Sequence, residues 1–466
     1  MSLPTAPPRD RSQAPAPRPR NLLDVPLVSR AVRSRWYPGL FQWIAVAVFA
    51  LVVWQLLAGP QTAHDNLGTA LVWVLWWPLI PIVFVAVGRF WCAVCPFGKL
   101  SDLVQGLVGA QRPVPRFLRR YGIWIIDAQF ILITWSDHVW GIVESPWGTG
   151  VLLLLLITAV VASGAFFTRR TFCRYLCFLG GLSGNYARVG GLELRADASV
   201  CATCTSRAVC FNGGEKAPAC PLFEFPRTMD SSANCNLCAN CIVNCPNDAI
   251  RLTPRLPSRE LWFIRDPKIE QSFLAMAIMG IVLIQNLTML RVWQDVLAWI
   301  ERTTGIGSYP VIFTIAFVVA VGAPVTLLWL GSTVAARRND ESVARNFARF
   351  GYALIPLDVA GHIAHNLFHL LAEGKSVYYT AVAALGGAHG DGSPALVGTG
   401  TIQVLQYAIL ALGIAGSAYA VYRIARGRWG GDGATMTATL TPYLGIVIVL
   451  AAANLALFAL PMAMRM

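Results

Sequence analysis

Nine stretches of this chain are apolar for long enough to cross a hydrocarbon layer of about 30 Å as helices. They fall at residues 40–58, 67–87, 121–140, 151–167, 273–293, 311–330, 352–371, 402–424 and 443–460. In lipid every backbone N–H and C=O must find its partner inside the protein, which leaves the helix as the solution for single segments of this length. The expected fold is therefore an all-α polytopic membrane bundle of about nine transmembrane helices, carrying an inserted α+β domain in its longest polar segment. A composition 56% hydrophobic and 13% charged agrees, being more apolar than a soluble domain of 466 residues requires. Two of the stretches are less pure, since 121–140 holds Asp127, Gln129, Ser136 and Asp137, and 352–371 holds Asp358 and three histidines. Such polar groups are expected to face the bundle interior or a wet cavity.

The formal charge of +13 follows the helix ends. Arg9, Arg11, Arg18, Arg20, Arg30, Arg33 and Arg35 precede the first span, whereas 59–66 carry no Lys or Arg. The bias repeats at Arg89, Lys99, Arg112, Arg116, Arg119 and Arg120, at Arg337, Arg338, Arg345 and Arg349, and at Arg423, Arg426 and Arg428. Cytoplasmic loops are the basic ones, so the expected setting is a bacterial inner (cytoplasmic) membrane with the N-terminus cytoplasmic and the C-terminus periplasmic. The same accounting leaves nucleic acid out as a partner and makes membrane lipid the surroundings. Residues 1–36 form a basic, Pro-rich tail that buries too little apolar surface to fold, and they lack the early apolar run of a signal peptide. The remaining units are expected at 37–170 (four helices), 171–268 (cytoplasmic, ferredoxin-like) and 269–466 (five helices).

Ten of the twelve cysteines lie in the polar stretch 168–268. Cys235, Cys238, Cys241 and Cys245, the last followed by Pro246, reproduce the C-x2-C-x2-C-x3-C-P run of bacterial ferredoxins, whose fourth cysteine serves the neighbouring cluster. Cys201, Cys204, Cys210 and Cys220-Pro221 supply that neighbour. The assignment is two [4Fe-4S] clusters, one held by Cys201, Cys204, Cys210 and Cys245, the other by Cys235, Cys238, Cys241 and Cys220. A pair of four-cysteine zinc sites is the competing reading. A zinc ribbon, however, has no need of four cysteines within eleven residues ending in Cys-Pro. Disulfides do not suit a reducing compartment.

The other four cysteines sit in an internal repeat, in which residues 90–101 match 171–183 with a one-residue gap. Duplication brings Cys92 and Cys95 towards Cys173 and Cys177, where they form a third iron-sulfur site, a redox-active thiol set, or merely small apolar packing. Arg174, beside Cys173, is the candidate cation for tuning a potential there. On these repeated pairs and the two-cluster module, residues 40–265 resemble the membrane polyferredoxin family that includes NosR and NapH. Members typically carry C-x3-C-P in both repeats; here the pairs are Cys92-x2-Cys95-Pro96 and Cys173-x3-Cys177-Phe178. The resemblance implies quinol oxidation within the membrane and delivery of electrons to a periplasmic acceptor. It does not extend to the five spans after residue 265.

The six histidines are His64, His138, His362, His365, His369 and His389, all outward on the expected topology. Asp358, His362, His365 and His369 recur at intervals of four, three and four, so they share one helix face. Four readings stand: haem b, with His138 ligating from the opposite side; copper or another metal; a proton relay that includes Asp358; or histidines hydrogen-bonded to Asn366, Gln285, Asn286 or Gln406 as bundle glue. The expected function is membrane-bound electron transfer of the quinol dehydrogenase type. It links the quinone pool, the [4Fe-4S] clusters and an outer haem, metal or redox protein partner. The alternative is a copper-handling or metal-reducing assembly or transport factor.

Overall fold

A computed structural model describes residues 20–387, 390 and 392–460. Seven of its helices are long and apolar enough to cross a membrane: α2 (Gly39–Ala58), α3 (Leu67–Val87), α7 (Pro146–Phe166), α13 (Ile269–Thr288), α15 (Tyr309–Ala336), α18 (Thr399–Trp429) and α19 (Gly433–Ala459). The chain is a multi-pass membrane protein. The two remaining expected spans are helical but differ in kind. They are α6 (Arg116–Trp140, 25 residues) and α16 (Val343–Ala372, 30 residues). At about 1.5 Å per residue both have the length of a span, yet both are more polar than the other seven. The cause is plain in α16, where 22 of the 30 residues are buried against other helices and meet no lipid. Expected boundaries moved as well: the stretch 273–293 ends as a span at Thr288, and Arg291–Thr304 forms a separate amphipathic helix, α14.

The repeat read from the sequence folds as a repeat. In the first copy α3 ends at Gly88, whose φ of +63° turns the chain. A one-turn helix, α4 (Phe90–Val94), doubles back so that Trp91 packs on Trp76 at 5.7 Å between ring centroids. Cys95 then caps α5 (Pro96–Val108). In the second copy α7 ends, Arg170 turns the chain at φ +52°, and α8 (Thr171–Tyr175) leads to Cys177, the cap of α9 (Phe178–Val189). Nine of the twelve residues of α9 are buried, since it is wedged between α3, α6, α13 and α16. Through α9 the core of the first helices runs without a break into that of the last five.

The cysteine-rich segment follows α9. Strand β1 (Leu192–Ala196) pairs antiparallel with β2 (Ile250–Pro254), in a register that sets Leu194 opposite Leu252. Between them lie the short helices α10 (Ala198–Ala202), α11 (Val209–Asn212) and α12 (Asn240–Asn244). The segment is clamped to the bundle by Arg255, whose guanidinium donates to the carbonyls of Ala187, Arg188 and Gly190 at 2.7, 3.1 and 2.8 Å, at the C-terminal end of α9. There the cation also meets the negative end of the helix dipole. The tail reading 1–36 needs correction over its described part. Leu22–Asp24 and α1 (Pro26–Arg33) are helical, and Leu23, Val28 and Val32 cover Leu194 and Ile250 of the sheet. Burial of those few apolar side chains orders a stretch that composition alone marked as tail. Residues 1–19 lie outside the described residues.

Candidate metal centres

All twelve cysteines are free and half-buried. Three cavities collect them in fours. Cys201, Cys204, Cys210 and Cys245 line one, and Cys220, Cys235, Cys238 and Cys241 another. The third, of about 630 Å³, is lined at one end by Cys92, Cys95, Cys173 and Cys177. These are the sets expected from spacing and repeat, with Cys220 and Cys245 exchanged between neighbours as the Cys-Pro signature requires. Positive φ angles at Leu237 (+56°) and Ala239 (+66°) wrap the chain around Cys238 so that three thiols face one hollow.

Donor chemistry separates the competing metals. Zinc–thiolate bonds of about 2.3 Å in a tetrahedron place sulfurs less than about 4 Å apart. Among the described residues no three His, Cys, Asp or Glu side chains converge to hold a single ion. Four thiols spread around one cavity suit a cubane, whose irons and sulfides stand between them. Burial pushes the Cys235 thiol up to about 12 and the Cys238 thiol up to about 11. Thiolates at such positions call for the positive charge of bound metal.

The third set has a second mark. Arg89 and Arg170 each precede a cysteine by three residues, cap equivalent one-turn helices, and are 4% exposed. Arg170 is held by Asp102 at 2.6 Å and reaches the Cys92 carbonyl at 3.3 Å. Arg89 has no acidic partner among the described residues; it donates to the Ala233 carbonyl and approaches the Cys92 sulfur at 3.8 Å, while its Nε has no hydrogen-bond partner. A buried cation without a counter-ion is costly, and a thiolate-bound cluster with net negative charge is the fitting neighbour. Cys95 and Cys177 add the positive ends of α5 and α9. Asn236, between Cys235 and Cys238, donates to the Cys92 carbonyl at 3.4 Å, so the second and third sets are in direct contact. Arg174, the cation expected from sequence, instead bonds the Tyr175 hydroxyl at 2.8 Å and covers Phe223. Arg89, Arg170 and Asn236 were missed. The two arginines were recoverable, because the repeat begins one residue before the matched stretch.

Away from the cysteines the third cavity continues along α3. Its first turns pass through a π-helical stretch, Ala70–Trp76, which sets Trp73, Trp76 and Trp77 in the wall. Such stretches are frequent at functional sites. Asp137, Thr149 and Gln285 line the cavity beyond them.

The histidine stripe is buried on α16. Tyr186 of α9 meets His362 Nδ1 at 2.8 Å, Asn286 Oδ1 meets His365 Nδ1 at 2.8 Å, and Glu373 meets His369 Nδ1 at 3.3 Å. Asn366 donates to the His362 carbonyl and Gln406 to that of Ala364. His138 stacks on Phe313 at 4.8 Å, and its Nδ1 lies 3.1 Å from the Thr134 carbonyl. These hydrogen bonds fit bundle glue and a proton relay alike, and the haem and copper readings gain no support from them. His389 lies outside the described residues.

Two segments, 69–115 and 149–195, match the 4Fe-4S binding domain family, one on each copy of the repeat. YccM of Escherichia coli (strain K12), provisionally named an electron transport protein, is 24% identical over 231 residues, covering 45% of this chain. The match spans 61% of the length of YccM. Both findings fit the membrane polyferredoxin family. No solved structure matches the chain. The two matched segments hold Cys92, Cys95, Cys173 and Cys177.

Proposed function

We propose that this polyferredoxin carries electrons through three [4Fe-4S] sites in line: the Cys201 set, the Cys220 set and the membrane-embedded Cys92 set. When bound, each cubane takes up and gives back one electron at a time. The observation that carries the reading is the partition of twelve cysteines into three four-thiol cavities, the third flanked by two buried arginines. The residues divide the work. Cysteines ligate, Arg89 and Arg170 offset negative charge, and Asn236 ties the second set to the third through the Cys92 carbonyl.

The apolar remainder of the third cavity fits the ring and tail of a quinol, with the Trp73–Trp77 wall along the ring and Asp137, Thr149 and Gln285 as its polar limit. In this reading the ferredoxin-like segment is cytoplasmic and the redox partner is a periplasmic or membrane protein. Anaerobic purification followed by iron, sulfide and EPR analysis tests the count. About twelve irons per chain are expected, four for each cubane. Cys177→Ser then loses about four while the two ferredoxin-type signals persist. Colourless, zinc-loaded protein overturns the proposal.

A further inference from the structure

The chain after residue 269 holds no cysteine, and apart from Gln285 at the edge of the third cavity the electron path makes no use of that half. Its central helix nevertheless carries Asp358, His362, His365 and His369 and is capped by Glu373, each 3% exposed or less. Intervals of four, three, four and four keep them on one face. Ionisable groups at membrane depth are expensive, and apolar residues of like volume pack a core at least as well. Five in a row therefore ask for a use.

The groups are connected. The Tyr186 hydroxyl hydrogen-bonds His362 Nδ1 at 2.8 Å and faces the Asp358 carboxyl, whose two buried oxygens have no hydrogen-bond partner among the described residues and are open to a proton. His365 follows one turn on, bonded to Asn286. Its ring lies 5.3 Å from that of His369, which reaches Glu373 at 3.3 Å. From Asp358 to Glu373 the rise is about 22 Å, about three quarters of a hydrocarbon layer of about 30 Å. Facing this line from the helices around it are Tyr186 of α9, Trp77 of α3, Asn286 of α13, Gln406 and Ser417 of α18, and Asn454 of α19. Tyr186 is the titratable one among these described groups. Glu260, on the 3-10 turn packed against α16, is committed to Arg255.

One end of the line adjoins the redox side. Helix α9 is capped by Cys177 and carries Tyr186 nine residues later, about 13 Å along its axis. Trp77, in the wall of the third cavity, lies 5.9 Å from the His362 ring. Charges so spaced in a low dielectric still feel each other.

We propose that α16 is a redox-linked proton path: an electron arriving at the Cys92 set draws one proton onto the Asp358–Tyr186–His362 group, and His365, His369 and Glu373 carry protons along the membrane normal. The inference rests on the electron-carrier reading above. The electron comes from quinol in the membrane or dithionite in the test, and the proton from water. When the electron leaves so does the proton, and only O–H and N–H bonds are made or broken in the path.

The test uses the full chain with its clusters assembled. Reduced-minus-oxidised infrared spectra are recorded in water and deuterium oxide, and the midpoint potential of the Cys92-set EPR signal is followed against pH. Reduction is expected to change a protonated-carboxyl band that shifts in deuterium oxide and is lost in Asp358→Asn. The potential falls as pH rises, by up to about 59 mV per tenfold change in proton activity for one electron. Tyr186→Phe, which keeps the ring and its packing, is expected to flatten that slope. A pH-independent potential in the unaltered chain overturns the proposal, as does an unchanged slope in both variants with their EPR signals intact. A preparation without iron removes the electron-carrier reading, and this one with it; iron analysis tells the two failures apart.

Discussion

At the scale of single residues, Arg89 is the side chain best placed to set the potential of a cluster held by the Cys92 set. Its guanidinium lies against the Cys92 sulfur at 3.8 Å with no carboxylate among the described residues to neutralise it, unlike Arg170, which has Asp102. A cation there favours the reduced, more negative form of a cluster, so Arg89→Gln is expected to lower the midpoint potential of the third site and leave the other two unmoved. Potentiometric EPR reads this directly, and equal shifts at all three sites would mean a general loss of structure. Arg89→Lys restores charge but not the fork that also reaches the Ala233 carbonyl, so only part of the shift returns. The sequence showed the cysteines because ligand spacing is local: a few residues between thiols suffice to wrap a cubane. It showed Arg174 as the tuning cation because that residue is adjacent. The arginine that approaches the sulfur does so through a turn at Gly88, which adjacency does not encode.

Elements bring different constraints. Helices α13 and α15 pass so closely at Gly280 that a Cβ there would strike the Ala320 carbonyl and Val321. Gly280→Val should therefore force the two apart at roughly 1–3 kcal/mol, the usual range for overpacking. Thermal unfolding of the detergent-solubilised chain measures the loss, and Gly322→Ala, at a position with open space around it, serves as control. In the cysteine-rich segment Asp197 caps the short helix α10, which carries Cys201. A hydrogen bond from Ser199, aided by backbone N–H groups and Arg251, holds its carboxyl below the ordinary carboxylate value. The carboxyl is depressed in the folded state, so its contribution is present above about pH 4, the unfolded value, and fades as pH falls through the folded one. Asp197→Asn is expected to bleach the Cys201-set absorbance at the same low pH as the unaltered chain but to lower cluster retention near neutrality. The apolar runs located the long helices but not all their ends, several of which lie five to ten residues away, as where α19 begins at Gly433 instead of 443. The two polar helices stood out through Asp127, Asp137, Asp358 and the histidines, but hydropathy, which reports composition, could not say how completely α16 is surrounded by other helices.

For the whole molecule the question is whether the cysteine-rich segment and the bundle hold together as one body. The sequence separates them at residues 171 and 268, by polarity. The structure joins them through α9, which belongs to the repeat at its Cys177 end and receives Arg255 of the cysteine-rich segment at the other. That arginine, 1% exposed at its side chain, satisfies three helix-terminal carbonyls and pairs with the equally buried Glu260, which also holds Arg195. No spacing rule links residues 187 and 255, so this joint was invisible in the sequence, whereas the ligand sets on either side of it were plain. Arg255→Met removes the charge and leaves Glu260 and the carbonyls buried without it, a loss of about 3–5 kcal/mol for breaking one half of such a pair. If the joint is what seats the second cysteine set against the third, limited proteolysis should release the segment 190–265 from the variant, and spin–spin broadening between the two EPR signals should vanish with it. Arg255→Met with Glu260→Leu removes both charges together and should recover part of the stability, since no buried carboxylate remains unpaired. Broadening that survives in the single variant would mean that Arg89 and Asn236, which also cross the boundary, suffice to hold the two sets in contact.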